Sequence, residues 1–268
     1  MLSPRRVGSG VVRIRGGSGL GDALYVRAVG EYLITQGHPV TACSDYPGVF
    51  AGSGIKVEPF RRDRIDRLAH YSARKGIVGT NQWEDVCDSA GIERITFHVE
   101  HRVMNAALVA GLRELAAGKP LVLVHGGRAP MARTDGFGKE LLPKAEAFGT
   151  VLEALSDCFL VQIGQGNQLY PLDCDVSLNG STSVTDLLDL GASCDGIVAQ
   201  CSYAVPLAEV FDKPALFVWA DAGLKAGHPY IKQITPAKIL SKESSKIVMD
   251  DWPEERMQGR ARAFRRAL

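Results

Sequence analysis

The chain has 268 residues, 46% of them hydrophobic and 23% charged, with a net charge of +1. A polypeptide of this size and balance folds as one large or two smaller globular units and buries a substantial core without disulfides. The near-zero net charge gives no global field for nucleic acid or an acidic membrane surface, and no apolar run approaches the roughly 20 residues of a membrane span. The basic start, Met1-Leu2-Ser3-Pro4-Arg5-Arg6, has no apolar stretch behind it, so no secretory leader is expected. The six cysteines, at 43, 87, 158, 174, 194 and 201, form no C-x-x-C pair and mostly sit in apolar surroundings. They read as reduced, buried thiols of a cytoplasmic protein rather than as a zinc site.

The apolar run Val11 to Ile14 predicts the first strand. Behind it comes Arg15-Gly16-Gly17-Ser18-Gly19-Leu20-Gly21-Asp22, with four glycines in six positions, and then the helical pattern Ala23 to Thr35. Strand, glycine-rich turn and helix bring backbone N–H groups and a positive helix end to one point. Gly16, Gly17 and Gly19, with Ser18 among them, are expected to let an acceptor or phosphate approach the backbone closely. Asp22 falls in or near the first helical turn, where the dipole favours an ionised carboxylate. It reads either as a base or as a plain helix cap. The glycine spacing does not match the dinucleotide fingerprint G-x-G-x-x-G, and no Gly-Lys-Ser/Thr follows to make a P-loop.

Gly37 and Pro39 stop the first helix, and Val40 to Cys43 is a second strand. After a turn at 45–48, Ile55 to Glu58 predicts a third. Residues 61–75 carry a basic run that fits a solvated face or an anionic partner. Gln82 opens a helix that ends near Gly91, and Ala106 to Ala117 is read as the helix closing the first half. Gly118-Lys119-Pro120 is the expected linker.

The second half begins with Leu121 to Val124, fully apolar in the manner of a parallel strand. His125 follows at its carboxyl end, where it could meet a phosphate, work in acid–base chemistry or simply pack. Arg128, Arg133 and Lys139 lie in or beside the loop beyond. Leu141 to Leu155 is a helix, Cys158 to Ile163 a strand, and Gly164 to Asn167 its turn. Val184 to Ala192 is a helix capped from among Ser181, Thr182 and Ser183. Strand 195–200, helix Ala204 to Phe211 and strand Ala215 to Trp219 continue the alternation, and Asp250 to Leu268 is an arginine-rich helix. Such alternation predicts parallel sheets built by right-handed crossovers, with ligands at the strands' carboxyl ends.

Three segments, in this order, resemble the ADP-heptose:lipopolysaccharide heptosyltransferase family. Gly19-Leu20-Gly21-Asp22 follows a first strand. Leu178 to Leu187 resembles the family's L-x-G-x-T-S-L-x-E-L. Cys194 to Phe217 lies where the family has A-D-L-V-V-S-N-D-S-G-P-x-H-L-A-x-A-L-G-x-P.

The resemblance implies a GT-B fold of α/β class, with two Rossmann-like domains whose parallel sheets face each other across a cleft. An acceptor-side domain would span 1–118 and a donor-side domain 119–249, and a helix over 250–268 would return to the first domain. It implies inverting sugar transfer from a nucleotide-sugar donor to a saccharide or lipopolysaccharide-like hydroxyl, with no metal and no cofactor. Asp22 would be the base.

Arg128, Arg133, Lys139 and Ser202 are candidates to hold the leaving diphosphate, and Gly164, Gln200 and Cys201 line the expected donor pocket. The family's Asn-Asp-Ser-Gly-Pro-x-His is here Gln200-Cys201-Ser202-Tyr203-Ala204-Val205-Pro206. Loss of the aspartate at Cys201 removes an acceptor-only group for sugar hydroxyls and implies a different donor sugar. Two alternatives share the scaffold. One is transfer to a modified DNA base, motivated by the basic run and the terminal arginines. The other is a catalytically inactive nucleotide-sugar-binding module.

Overall fold

A computed structural model describes residues 10–60, 65–71, 81–126, 143–166, 172–220, 240 and 242–268. The N-terminal half is a parallel sheet of β1 (Val12–Arg15), β2 (Val40–Cys43), β3 (Lys56–Glu58) and β4 (Arg67–Leu68), in the order β3-β2-β1-β4. The C-terminal half contains β5 (Leu121–His125), β6 (Phe159–Gln162), β7 (Val176–Ser177), β8 (Gly196–Gln200), β9 (Ala215–Trp219) and β10 (Ser245–Met249). These six are also all parallel, in the order β10-β9-β8-β5-β6-β7. Renumbered within that half, the order is the doubly wound 6-5-4-1-2-3, whose winding reverses between β5 and β8. The N-terminal sheet reverses between β1 and β4.

The helices are α1 (Leu20–Thr35), α2 (Gln82–Ala90), α3 (Ala106–Ala116), α4 (Ala145–Glu153), α5 (Val184–Ser193), α6 (Ala204–Val210) and α7 (Glu254–Arg265), with a 3-10 turn at Pro47–Phe50. Strand residues alternate between the two faces of the large sheet. Ile197, Ala199, Ala215 and Phe217 join a core shared with α5 and α6, whereas Val198, Leu216 and Val218 join one shared with α4 and α7.

The first of these cores runs without a break into the N-terminal half, because α1 packs against α6 and the 3-10 turn packs against α5. Helix α1 is therefore covered on both sides, and Ala23 through Gly30 are all buried. That matches its near-uniform apolar sequence, since a helix apolar all round must be enclosed.

Gly21 sits at the α1–α6 contact. A Cβ there would lie 3.0 Å from Pro206 Cγ and 3.3 Å from the Tyr203 Cα. Gly21→Val is expected to force the two halves apart and lower stability by about 1–3 kcal/mol, read by urea unfolding.

Two expectations about the domains are corrected. Helix α3 does not close the first half; it packs on α5 and β5 of the second. The reason is polar. The fully buried carboxylate of Asp189 on α5 accepts from Asn105 N–H (2.7 Å), Met104 N–H (3.1 Å) and His101 Nε2 (2.7 Å). At the other end, Arg113 Nη1 reaches Asp195 at 2.5 Å. These contacts seat α3 on the C-terminal half.

The terminal helix is the second correction. Instead of returning to the first domain, α7 lies on α4, β9 and β10. Its buried side chains Met257, Ala261 and Phe264 sit at helical spacing, and Phe264 fills the space above Gly196. Of its arginines, Arg265 pairs with Asp157 at 3.0 Å and Arg256 lies 3.6 Å from the centroid of Trp252.

Smaller shifts have local causes. Gly19 takes an extended backbone as N-cap, so α1 begins at Leu20 and Asp22 occupies its third position. Among the three candidate caps of α5, Ser183 is the one used. Its hydroxyl accepts from Asp186 N–H at 3.0 Å, and Asp186 accepts in return from Ser183 N–H at 2.9 Å.

Candidate active site

Both winding reversals open on one cavity of about 560 Å³. The three sequence segments meet there although they are far apart in the chain. Gly19 to Asp22 come from the first, Thr182 to Val184 and Leu187 from the second, and Gln200 to Tyr203 with Val205 and Pro206 from the third. Tyr25, Tyr46 and Tyr71 complete the N-terminal wall, and His125, Gly164 and Trp219 the C-terminal one.

Asp22 is held from behind. Its Oδ2 accepts the Gly19 N–H at 3.0 Å, and its Oδ1 lies 3.9 Å from His70 Nε2. His70 in turn stacks on Tyr71 at 4.7 Å between ring centroids. Burial is the strongest influence on this carboxyl and raises its pKa above 3.8, with the Gly19 N–H and His70 pulling the other way. Burial thus outweighs the opposing contacts in setting how basic this carboxyl is. The group is a carboxylate made more basic by desolvation, the direction a general base requires.

The glycines beside it serve this carboxyl. A Cβ at Gly17 would collide with the Asp22 carboxylate, and one at Gly16 would come within 2.7 Å of Val26 Cγ2 and 3.0 Å of the Ala69 carbonyl. Gly16, Gly17 and Ser18 stand outside the cavity lining, and Gly19 and Gly21 are within it. The space predicted for a ligand at Gly17 is filled by Asp22 itself.

On the opposite wall, His125 ends β5 and is 4% exposed. Burial alone lowers its pKa to about 4, so the imidazole is neutral near pH 7. Its Nδ1 lies 3.2 Å from Ser202 Oγ, and its ring packs against Tyr203 at 4.7 Å. Burial pushes the Cys201 thiol up to about 12, which leaves it protonated, and Gln200 Oε1 is buried without a partner among the described residues. Gly164, at the end of β6, has φ +139° and needs to be glycine.

Of the predicted donor-side residues, the fold thus brings Gly164, Gln200, Cys201 and Ser202 together around the cavity. Arg128, Arg133 and Lys139 lie outside the described residues. His70, Tyr71, Tyr46 and Trp219 were not singled out from sequence. Trp219 ends an apolar strand, and that position was a usable signal. His70 and Tyr71 follow a two-residue strand that leaves no periodic trace.

No family model matches the chain, and no curated protein does. Solved structures do match it. A glycosyl transferase family 9 protein from Veillonella parvula DSM 2008 superposes with a TM-score of 0.68 over 99% of this chain and 100% of its own, at 9% identity. The fold is GT-B. E. coli ADP-heptose lps heptosyltransferase II matches this GT-B chain with a TM-score of 0.63 over 96% of it and 98% of its own length, at 11% identity. E. coli heptosyltransferase WaaC, solved with ADP, matches at 0.54 over 96% and 98%, at 12% identity. The GT-B frame explains why two sheets present their carboxyl edges to one space. Among the described residues no helix is long and apolar enough to cross a membrane.

Proposed function

We propose that this protein is an inverting glycosyltransferase that moves a sugar from a nucleotide-sugar donor to a hydroxyl of a saccharide or lipopolysaccharide-like acceptor, without a metal. The observation that carries this reading is the placement of Asp22 across one cavity from the end of β5 and the β8–α6 turn. The acceptor approaches the N-terminal wall, where Asp22 takes the proton from its hydroxyl. The freed oxygen attacks the anomeric carbon from the face opposite the diphosphate, and the nucleoside diphosphate leaves toward the C-terminal wall. Arg128, Arg133 and Lys139 are the chain's candidates to balance the charge on that leaving group.

The tyrosines and Trp219 offer flat apolar faces suited to a sugar ring or a nucleobase. Cys201, a neutral thiol where the resembled family has a carboxylate, fits a donor sugar other than heptose. The same substitution also favours a second reading, a binding module without turnover.

A panel of ADP-, GDP- and UDP-sugars separates the two. The enzyme reading expects nucleoside diphosphate to be released from one donor, faster in the presence of an acceptor sugar. Saturable binding of a donor with no release across all acceptors supports the module, and absence of any nucleotide binding removes both.

A further inference from the structure

Ser202 and His125 form a pair whose proton positions follow from the hydrogen bonds around them. Ser202 Oγ already accepts the Ala204 N–H at 3.2 Å. Its own hydroxyl proton then needs an acceptor, and the atom it meets is His125 Nδ1 at 3.2 Å. If Nδ1 instead carried a proton, Oγ would accept twice and the serine O–H would have to turn away from the ring toward the cavity. With Nδ1 accepting from the serine, the ring proton is on Nε2. That nitrogen meets no partner among the described residues, and the ring lines the cavity beside the β5–β8 winding reversal.

Among the described residues, the groups facing the ring are uncharged. Ser202 and Tyr203 come from the turn before α6, and Cys201 lines the same cavity as a protonated thiol. Asp22 is the one carboxylate in the cavity lining among the described residues, and it belongs to the opposite wall.

We propose that Ser202 fixes His125 as the Nε2–H tautomer, so that the ring gives a neutral N–H hydrogen bond to the diphosphate of a nucleotide held on the C-terminal wall. Ser202 is a positioning residue in this scheme and His125 the group that touches the ligand. A neutral donor of this kind contributes through direction rather than net charge, so its grip does not fade as pH rises through the ordinary histidine range. The ligand half of the proposal rests on the nucleotide-sugar reading; the tautomer half does not.

Two measurements test the halves separately. In the 15N-histidine-labelled, nucleotide-free protein, long-range 1H–15N correlation is expected to show His125 with Nε2 protonated and Nδ1 bare from pH 5.5 to 8. In Ser202→Ala it is expected to show a tautomer mixture. A protonated Nδ1, or an imidazolium at pH 7, overturns the assignment.

Calorimetric titration with ADP, GDP and UDP is expected to find one that binds, with affinity flat over the same pH range. His125→Ala should weaken that binding about ten-fold, the scale of one hydrogen bond to a charged group, and His125→Gln should restore most of it by offering an N–H at similar reach. Equal binding by wild type and His125→Ala, or affinity that collapses above pH 6.5, overturns the ligand role while leaving the glycosyltransferase reading standing. Failure of the wild type to bind any of the three overturns that reading and the ligand role together.

Discussion

Asp22→Asn is expected to lower turnover by about 10²- to 10⁴-fold with little change in donor affinity. The asparagine side chain keeps an oxygen for the Gly19 N–H, which Asp22 accepts at 3.0 Å, so the start of α1 survives the change. What is lost is the ability to take a proton. On the proposed reading the donor is held by the other wall, so its affinity should stay within a few-fold. The pH profile carries the same claim with a definite sign. In the proposed role Asp22 acts only when ionised, and burial raises its pKa above the ordinary carboxylate value. Turnover should therefore fall on acidification at a higher pH than an exposed aspartate would give, and it should recover fully on the alkaline side of that step. Steady-state rates of wild type and variant across pH 4 to 8, with melting curves alongside, decide the matter. A variant with undiminished transfer removes Asp22 from the chemistry.

The parts of this molecule that sequence displays are those governed by neighbours in the chain. Leu121 to Val124 and Ala215 to Trp219 are legible because a strand buried on both faces is apolar throughout. The turn before Asp22 is legible because Gly17 and Gly19 must clear that carboxyl, five and three residues away. What was misplaced depends on distant partners. The apolar face of α3 does not say which sheet it covers; Asp189 and Asp195, some eighty residues onward, decide it. The resemblance implied that α7 returns to the first half, whereas Met257, Ala261 and Phe264 fix its place on the C-terminal sheet. Strands β4 and β7 have two residues each and exist through their register with β1 and β6, so no period announces them. His70 lies beside Asp22 and Tyr71 lines the cavity just beyond the end of such a strand, which is why this part of the N-terminal wall left no trace in the sequence.

Arg27→Met is expected to cost about 3–5 kcal/mol of unfolding free energy, the range for breaking a buried charge cluster by removing one partner. Arg27 is 1% exposed, in the middle of α1. Its Nε donates to Glu31 at 2.7 Å, Nη1 donates to the Val49 carbonyl at 2.6 Å, and Nη2 to the Glu100 carbonyl. Glu31 closes the loop by accepting the Glu100 N–H at 2.8 Å. One guanidinium thus ties the first helix to the 3-10 turn that packs on α5 and to the segment leading into α3. Methionine fills much of the volume but leaves two carbonyls and the Glu31 carboxylate without that donor. Arg27→Lys should fail almost as badly, since a single ammonium cannot match three diverging acceptors. Arg27→Met with Glu31→Leu should recover part of the loss, because the stranded carboxylate goes with it. Chemical denaturation of the three variants measures this directly. A single-variant loss below about 1 kcal/mol would mean that the cluster is wet rather than buried. The wall carrying Asp22 would then not be fixed by it, since the same helix that holds Asp22 at its third position holds this arginine less than two turns further on.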